Sequence, residues 1–518
     1  MGTWNPGPGA TTGDDTFTGD GTNEVANGLD GNDTLNGNDG DDTLTGGLGS
    51  DILNGGNGND TLVYSQADFG FGDQFNGGAN TDTLSLFGTD NTTLEMSALT
   101  LTSIEAITFN SSTAGFLTVR FDSSQFGGGG ISSTADITGF NGQFNGLRIT
   151  MSSTTYADTF VYHNWESTDS TLVTGTSGAD TITGGAFRDI INAGDGNDII
   201  NGSAGANNLS GEGGDDTING GADAEQFNGG AGNDIIHAGA GADLIFMGQS
   251  DQGTTETIDG GADFDQLQLN GETSNATFAL NNYTLTSIES LILGSGIGAG
   301  AFVTVNFYAS QMGTGIASNL AVIGSDANDT INVSQNGSGA IDLSAWNFQS
   351  WGGLDAIQIN GGSLNDTLIG SGQHDIILGA DGNDVITGGG GADTITGGLG
   401  IDTANFSGAS GSASWHRNVD GSWTVTAGAD GTDTTNSVEF LHFTDRDVHL
   451  ANAQQTFSGD GTSDLLLRNS AGTSSTSTPR TRCSCRSAGS ACAGWACTSS
   501  RRGLPPAERR RRARTETP

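Results

Sequence analysis

Asp33, Asp42, Asp51 and Asp60 stand nine residues apart, and Asp15 and Glu24 carry the same register back towards the N-terminus. The spacing recurs at Asp180, Asp189, Asp198, Asp216, Asp234 and Asp243, with Asn207 and Glu225 in the two remaining slots. It returns at Asp366, Asp375, Asp384, Asp393 and Asp402. Carboxylates at a fixed interval are oxygen donors for a hard divalent cation. Calcium takes about six to eight oxygens in irregular geometry, whereas magnesium demands an octahedron and gives up water reluctantly, so calcium is the expected cofactor at multiple sites. The two register positions without Asp, Asn207 and Glu225, are expected to be weaker sites.

These acids have almost no protein counter-ions. The 518 residues carry 60 Asp and Glu against 16 basic residues, all arginine, for a formal charge of -44. Only Arg120, Arg148, Arg188, Arg417, Arg446 and Arg468 precede residue 475. Nucleic acid and anionic membrane, which require basic patches, are therefore excluded as partners of the main body. No apolar run of about 18 residues is present to span a membrane. The opening "MGTWNPGPGATTGDD" has neither a basic nor an apolar leader region, so no cleavable signal is expected. Cys483, Cys485, Cys492 and Cys497 all lie near the C-terminus, which removes disulfides, zinc-thiolate sites and cysteine nucleophiles from the rest.

The element that must position the acids is the repeated unit G-G-x-G-x-D-x-U-x, cleanest in "GGLGSDILN" and "GGNGNDTLV". Its glycines permit a tight six-residue turn. The following x-U-x is long enough for a short strand with U turned inward. Leu35, Leu44, Leu53 and Leu62 fill U in the first run, and Ile182, Ile191, Ile200, Leu209, Ile218, Phe227, Ile236 and Ile245 fill it in the second. Turn plus strand on two sides makes an eighteen-residue coil, so residues 18 apart stack at about 4.8 Å. Asp33 then lies over Asp51 and Asp42 over Asp60. Such pairs repel by about 1 kcal/mol in water, or roughly 3.5 kcal/mol at an effective dielectric near 20. Summed along a run, that rivals the net stability of a small domain, so the stack is expected to need its cation.

The nonapeptides resemble those of the repeats-in-toxin (hemolysin-type) calcium-binding proteins, across nineteen copies in three blocks. The resemblance implies a right-handed parallel β-roll, with calcium held between turns by Asp carboxylates and turn carbonyls. It also implies type I secretion of an unfolded chain that folds in extracellular calcium. The expected fold class is all-β: right-handed parallel β-roll (β-helix) blocks separated by β-rich capping modules.

A slower period overlies the nonapeptides. "GGANTDTLSLFG", "GGADFDQLQLNG" and "GGLGIDTANFSG" are followed by "LTSIEAITF", "LTSIESLIL" and "NSVEFLHF", and Gln125, Trp165 and Asp180 match Gln311, Trp351 and Asp366 at an offset of 186. This is a tandem duplication with a shortened third unit. The expected organisation is roll blocks at 10–63, 174–247 and 346–405, β-rich modules at 64–173 and 248–345, and a β-rich cap at 406–452. Residues 453–472 include one fragment similar to an integrin-type propeller repeat, "FSGDGTSDLLLRNSAG", in which Thr456 and Ser458 replace two expected ligands. Residues 473–518 read as a disordered basic tail out of character with the rest, and this tail does not look like the C-terminal export signal of the family.

No H-E-x-x-H or G-x-S-x-G motif is present, and the abundant carboxylate pairs are already explained by a metal, so no enzyme is expected. The reading is a secreted, extracellular, structural or adhesive array. Its alternative is the accessory part of an exoenzyme acting on polysaccharide. Trp165 and Trp351 are the residues suited to something further, either as repeated core tryptophans or as a platform for a surface glycan or matrix component.

Overall fold

The computed structural model describes residues 2–450, apart from 6–8, 69–71, 89–90, 112–115, 141–143, 272–274, 295–301, 314, 326–327, 338 and 353. The propeller-like fragment and the basic tail expected beyond residue 452 lie outside the described residues. The described chain is a solenoid built almost wholly from parallel strands. Among the described residues the only helical elements are three-residue 3-10 turns, and no helix is long and apolar enough to cross a membrane.

The nine-residue period sets the register. Strand Thr34–Asp39 pairs in parallel with Ile52–Asn57, Leu35 opposite Leu53. On the other side, Val25–Asp30, Thr43–Leu48 and Thr61–Ser65 pair in the same way. Leu35, Leu44, Leu53 and Leu62 are fully buried, so the core is one column of U side chains between two narrow sheets. The strands run six residues rather than three, because part of the following turn still keeps ladder register, Asn38 opposite Gly56. With so thin a core, each column member bears heavily on stability. Leu53→Ala in saturating calcium is expected to cost about 2–5 kcal/mol, read by denaturant unfolding.

The turn glycines have separate physical reasons. Gly58 has φ +140°, and a Cβ there would lie 1.8 Å from the Gly40 carbonyl oxygen of the coil before. Gly37 has an ordinary φ, but a Cβ would lie 2.3 Å from Asp42 Oδ2. The first needs a backbone that L side chains avoid. The second keeps space open beside a carboxylate.

The segments between blocks hand one pair of sheets over to the next. The six- and seven-stranded sheets of the first block end on Thr100–Thr102 and Val161–His163. A twelve-stranded sheet begins at Thr92–Glu95, passes through the second block and ends at Asn347–Gln349. Gln125 and Gln311 do equivalent work in the two copies: Gln125 Nε2 donates to the carbonyls of Met96 and Leu99, and Gln311 Nε2 to those of Leu280 and Tyr283. At both ends the pairing turns antiparallel. Thr3–Asn5 covers Thr16–Thr18, with Trp4 against Phe17, and Phe440–Phe443 pairs with Arg446–His449. Reversed, short terminal strands protect edges that would otherwise recruit another chain.

Trp165 is a core residue. It is 7% exposed and packs on Phe109 and Tyr162, so its ring is not free to serve as a glycan platform. Its counterpart Trp351 is partly buried against Phe348.

Candidate metal centre

Each register acid sits at the end of its turn, just before its strand or, for Asp189 and Asp375, as its first residue, and its side chain turns inward: Asp33, Asp42, Asp51 and Asp60 are at most 2% exposed. One carboxylate oxygen is consumed by the coil before. Asp33 Oδ1 accepts from the Asp15 amide at 2.7 Å, Asp51 Oδ1 from Asp33 at 2.8 Å, and Asp60 Oδ1 from Asp42 at 2.8 Å. The same bond joins Asp180 to Asp198, Asp198 to Asp216, Asp216 to Asp234 and Glu225 to Asp243. It joins Asp366 to Asp384, Asp375 to Asp393 and Asp384 to Asp402 in the third block.

The second oxygen separates the acids into two kinds. In Asp33, Asp42, Asp60, Asp198, Asp216, Asp243, Asp384, Asp393 and Asp402 it is buried and has no hydrogen-bond partner. That oxygen faces a turn glycine with a carbonyl of the next coil alongside: a Cβ on Gly37 would meet Asp42 Oδ2 at 2.3 Å and Gly55 O at 2.5 Å. Anionic oxygens without donors, set beside main-chain carbonyls, are the donor set that calcium accepts. The residues therefore fit the ion. Among the described residues no three His, Cys, Asp or Glu side chains gather to hold a metal, so carbonyl oxygens must complete each site.

In the other kind the protein closes the turn itself. Asp180 Oδ2 accepts from the Thr176 amide, Asp189 Oδ2 from Gly185, Asp366 Oδ2 from Gly362 and Asp375 Oδ2 from Ser371. These are the first acid on each side of the second and third blocks. The Oδ2 of Asp15, which opens the first block, accepts from Thr11 in the same manner, while Oδ1 of Asp15 and of Asp366 receives no amide from another coil and stays buried without a partner among the described residues. The nine-residue period alone placed Asp180, Asp189, Asp366 and Asp375 with the rest, and the structure separates them by what their second oxygen meets.

Burial is the main electrostatic cost. It pushes the carboxyls of Asp51 and Asp234 up to about 7 and that of Asp393 to about 8, with neighbouring carboxylates adding to the shift and the amide donor opposing it. Asp216, Asp82, Asp265 and Asp402 rise to about 6 for the same reasons. Repulsion between stacked acids is thus real but second to desolvation.

Several members of the ladder lie outside the nonapeptide register. Asp51 donates its amide to Asp73, Asp234 to Glu256, Asp393 to Asp433 and Asp402 to Glu439. Asp82 and Asp265 take the amides of Asp60 and Asp243 and keep a buried, unpartnered oxygen. The 22-residue offset marks Asp82 and Asp265 in the sequence, but nothing local marks Asp433, which arrives across 40 residues. A second rail runs outside the first. The residue before each acid, often Asn, accepts from its successor one coil on: Ser50 donates to Asn32, and Asn59 to Asp41. This gives the frequent "GND" of the turns a structural reason.

The RTX calcium-binding nonapeptide repeat (4 copies) matches at residues 10–35, 27–62, 174–209, 193–224, 201–236, 222–250, 360–395 and 369–404. The chain carries RTX-type calcium-binding repeats. The matches cover all three blocks in which orphaned carboxylate oxygens recur, and such repeats bind calcium, here at multiple sites. No curated protein matches the RTX chain.

Proposed function

We propose that this RTX chain works outside the cell as a non-enzymatic structural or adhesive array, exported unfolded through a type I system and stiffened by calcium. The carrying observation is the row of buried second carboxylate oxygens that nothing in the protein satisfies. We assign calcium to Asp33, Asp42, Asp51 and Asp60, to Asp198, Asp216, Asp234 and Asp243, and to Asp384, Asp393 and Asp402. Asp82 and Asp265 join them, each ion also taking turn carbonyls. A chain without counter-ions stays extended where calcium is scarce, which suits passage through a narrow exporter, and closes where calcium is at millimolar levels.

The bound ions supply positive charge between coils. The chain's own residues fix the oxygens, exclude water through the U column and space the coils. For the adhesive role, beads coated with the protein are expected to hold to cells or to polysaccharide gels in about 1 mM calcium and to release in chelator. Equal retention in both conditions would overturn the adhesive reading, and turnover of a polysaccharide panel would overturn the non-enzymatic one.

A further inference from the structure

Asn207 occupies an acid slot in the middle of the second block, between Asp189 and Glu225 on the same row of turns. Its side-chain oxygen does what that of Asp198, Asp216 or Asp243 does, accepting the amide of the residue one coil back, Asp189, at 2.8 Å. Its nitrogen does what no carboxylate can. Nδ2 donates to the Gly202 carbonyl at 3.0 Å and reaches the Ala204 carbonyl at 3.4 Å. These carbonyls belong to the turn that Asn207 ends, and Nδ2 lies beside Gly202 as the orphaned Oδ2 of Asp216 lies beside Gly211, five residues back in each case. An amide N–H₂ thus supplies the positive end that a cation supplies elsewhere.

The neighbour on this row is also closed. Asp189 Oδ2 accepts from the Gly185 amide at 2.7 Å; burial and the neighbouring Asp158 carboxylate push the Asp189 carboxyl up to about 8, while the Gly185 amide and the Thr171 hydroxyl oppose the rise. One oxygen of Glu225 accepts from Gly221 at 3.2 Å, leaving the other bare. On the opposite row the successive acids Asp198 and Asp216 both keep a buried oxygen without a donor. Both rows open on a closed acid, Asp180 or Asp189, and the difference lies in the next coil: Asn207 closes its own turn, whereas Asp198 does not.

We infer that the coils ended by Asp189 and Asn207 form a calcium-independent seam, closed by the chain's own hydrogen bonds, which stays folded when the rest of the array loses its ions. This rests on the calcium reading of the other turns. It adds that the middle of the chain keeps a folded template from which the calcium-dependent coils regrow, since each coil in a solenoid gains its stability from its neighbours.

The test is to restore the missing acid. Asn207→Asp should bind one more calcium ion per chain than wild type, counted on dialysed full-length protein by elemental analysis. In chelator, the amides of Asn208–Gly213 should exchange about tenfold faster in this variant than in wild type. In wild type those amides should outlast those of Ile52–Asn57 by a similar factor. An unchanged ion count in Asn207→Asp, or wild-type protection that is no higher at Asn208–Gly213 than at Ile52–Asn57, overturns the seam. Wild type that binds no calcium overturns the calcium reading instead. Should Asn207→Asp fail to fold, Asp216→Asn is the reciprocal variant: it should lose one ion and gain protection in chelator at Thr217–Asn219, and loss of that protection would reject the inference.

Discussion

Stripping calcium at about pH 7.5 is expected to convert most of the described sheet to coil, the first block going before the second. The order follows from the turns: in the first block Asp15, Asp33, Asp42 and Asp60 each keep a bare buried oxygen, whereas the second block opens on Asp180 and Asp189, whose second oxygens take local amides, and carries Asn207 in its middle. A buried anionic oxygen without a donor costs more than the few kcal/mol of a neutral polar group, and net stability is only about 5–15 kcal/mol. The U column cannot offset this, since each fully buried aliphatic contributes only about 1.5–3 kcal/mol before chain entropy is subtracted. Circular dichroism should show the β signal return as free calcium passes about 0.1–1 mM. A spectrum indifferent to calcium over that range would contradict the donor set described here.

Acidification should rescue the calcium-free chain. Burial raises the folded-state carboxyls of Asp402, Asp51 and Asp393 to about 6, 7 and 8 from an ordinary 3.8. A group whose folded pKa lies above its unfolded value binds more protons when folded, so stability falls as pH rises. The apo fold therefore has its full proton-derived stability below pH 3.8 and loses it progressively up to about pH 8. Each pKa unit is worth about 1.4 kcal/mol for a fully buried group, and a few such groups are enough to move a marginal fold across its midpoint. Calcium-free protein should be coil at about pH 7.5 and regain β structure towards about pH 5, the approach to the pI near 4.1 setting the lower limit through precipitation. Calcium uptake at about pH 5, where the calcium-free chain is folded with these carboxyls protonated, should release protons, uptake by the coil at about pH 7.5 should release almost none, and the calcium midpoint should rise as pH falls. Loss of residual structure on acidification would reverse the sign and sink the account of burial as the main cost.

The sequence by itself determined the period, and the period determined most of the fold. A nine-residue repeat with a single apolar position forces two narrow rows of strands, fixes the 18-residue stacking and brings Asp33 over Asp51, because coil geometry leaves no other register in which the Leu column is buried. Calcium was legible too, since charge of one sign without counter-ions admits few remedies. The tertiary structure alone separated the acids by what their second oxygen meets. Asp180 and Asp198 read alike in sequence, yet Thr176 closes one and nothing closes the other. Likewise Asp433 enters the ladder over 40 residues, and Trp165 lies in an aromatic core rather than on a surface. For Asp433 and Trp165 the physical reason is shared: the carboxylate, or the covering ring of Phe109, comes from a distant part of the chain, so its place depends on where the chain returns. For Asp180 it is the path of its own turn, which aims the Thr176 amide four residues back at the carboxylate, a geometry that the residue types alone do not give.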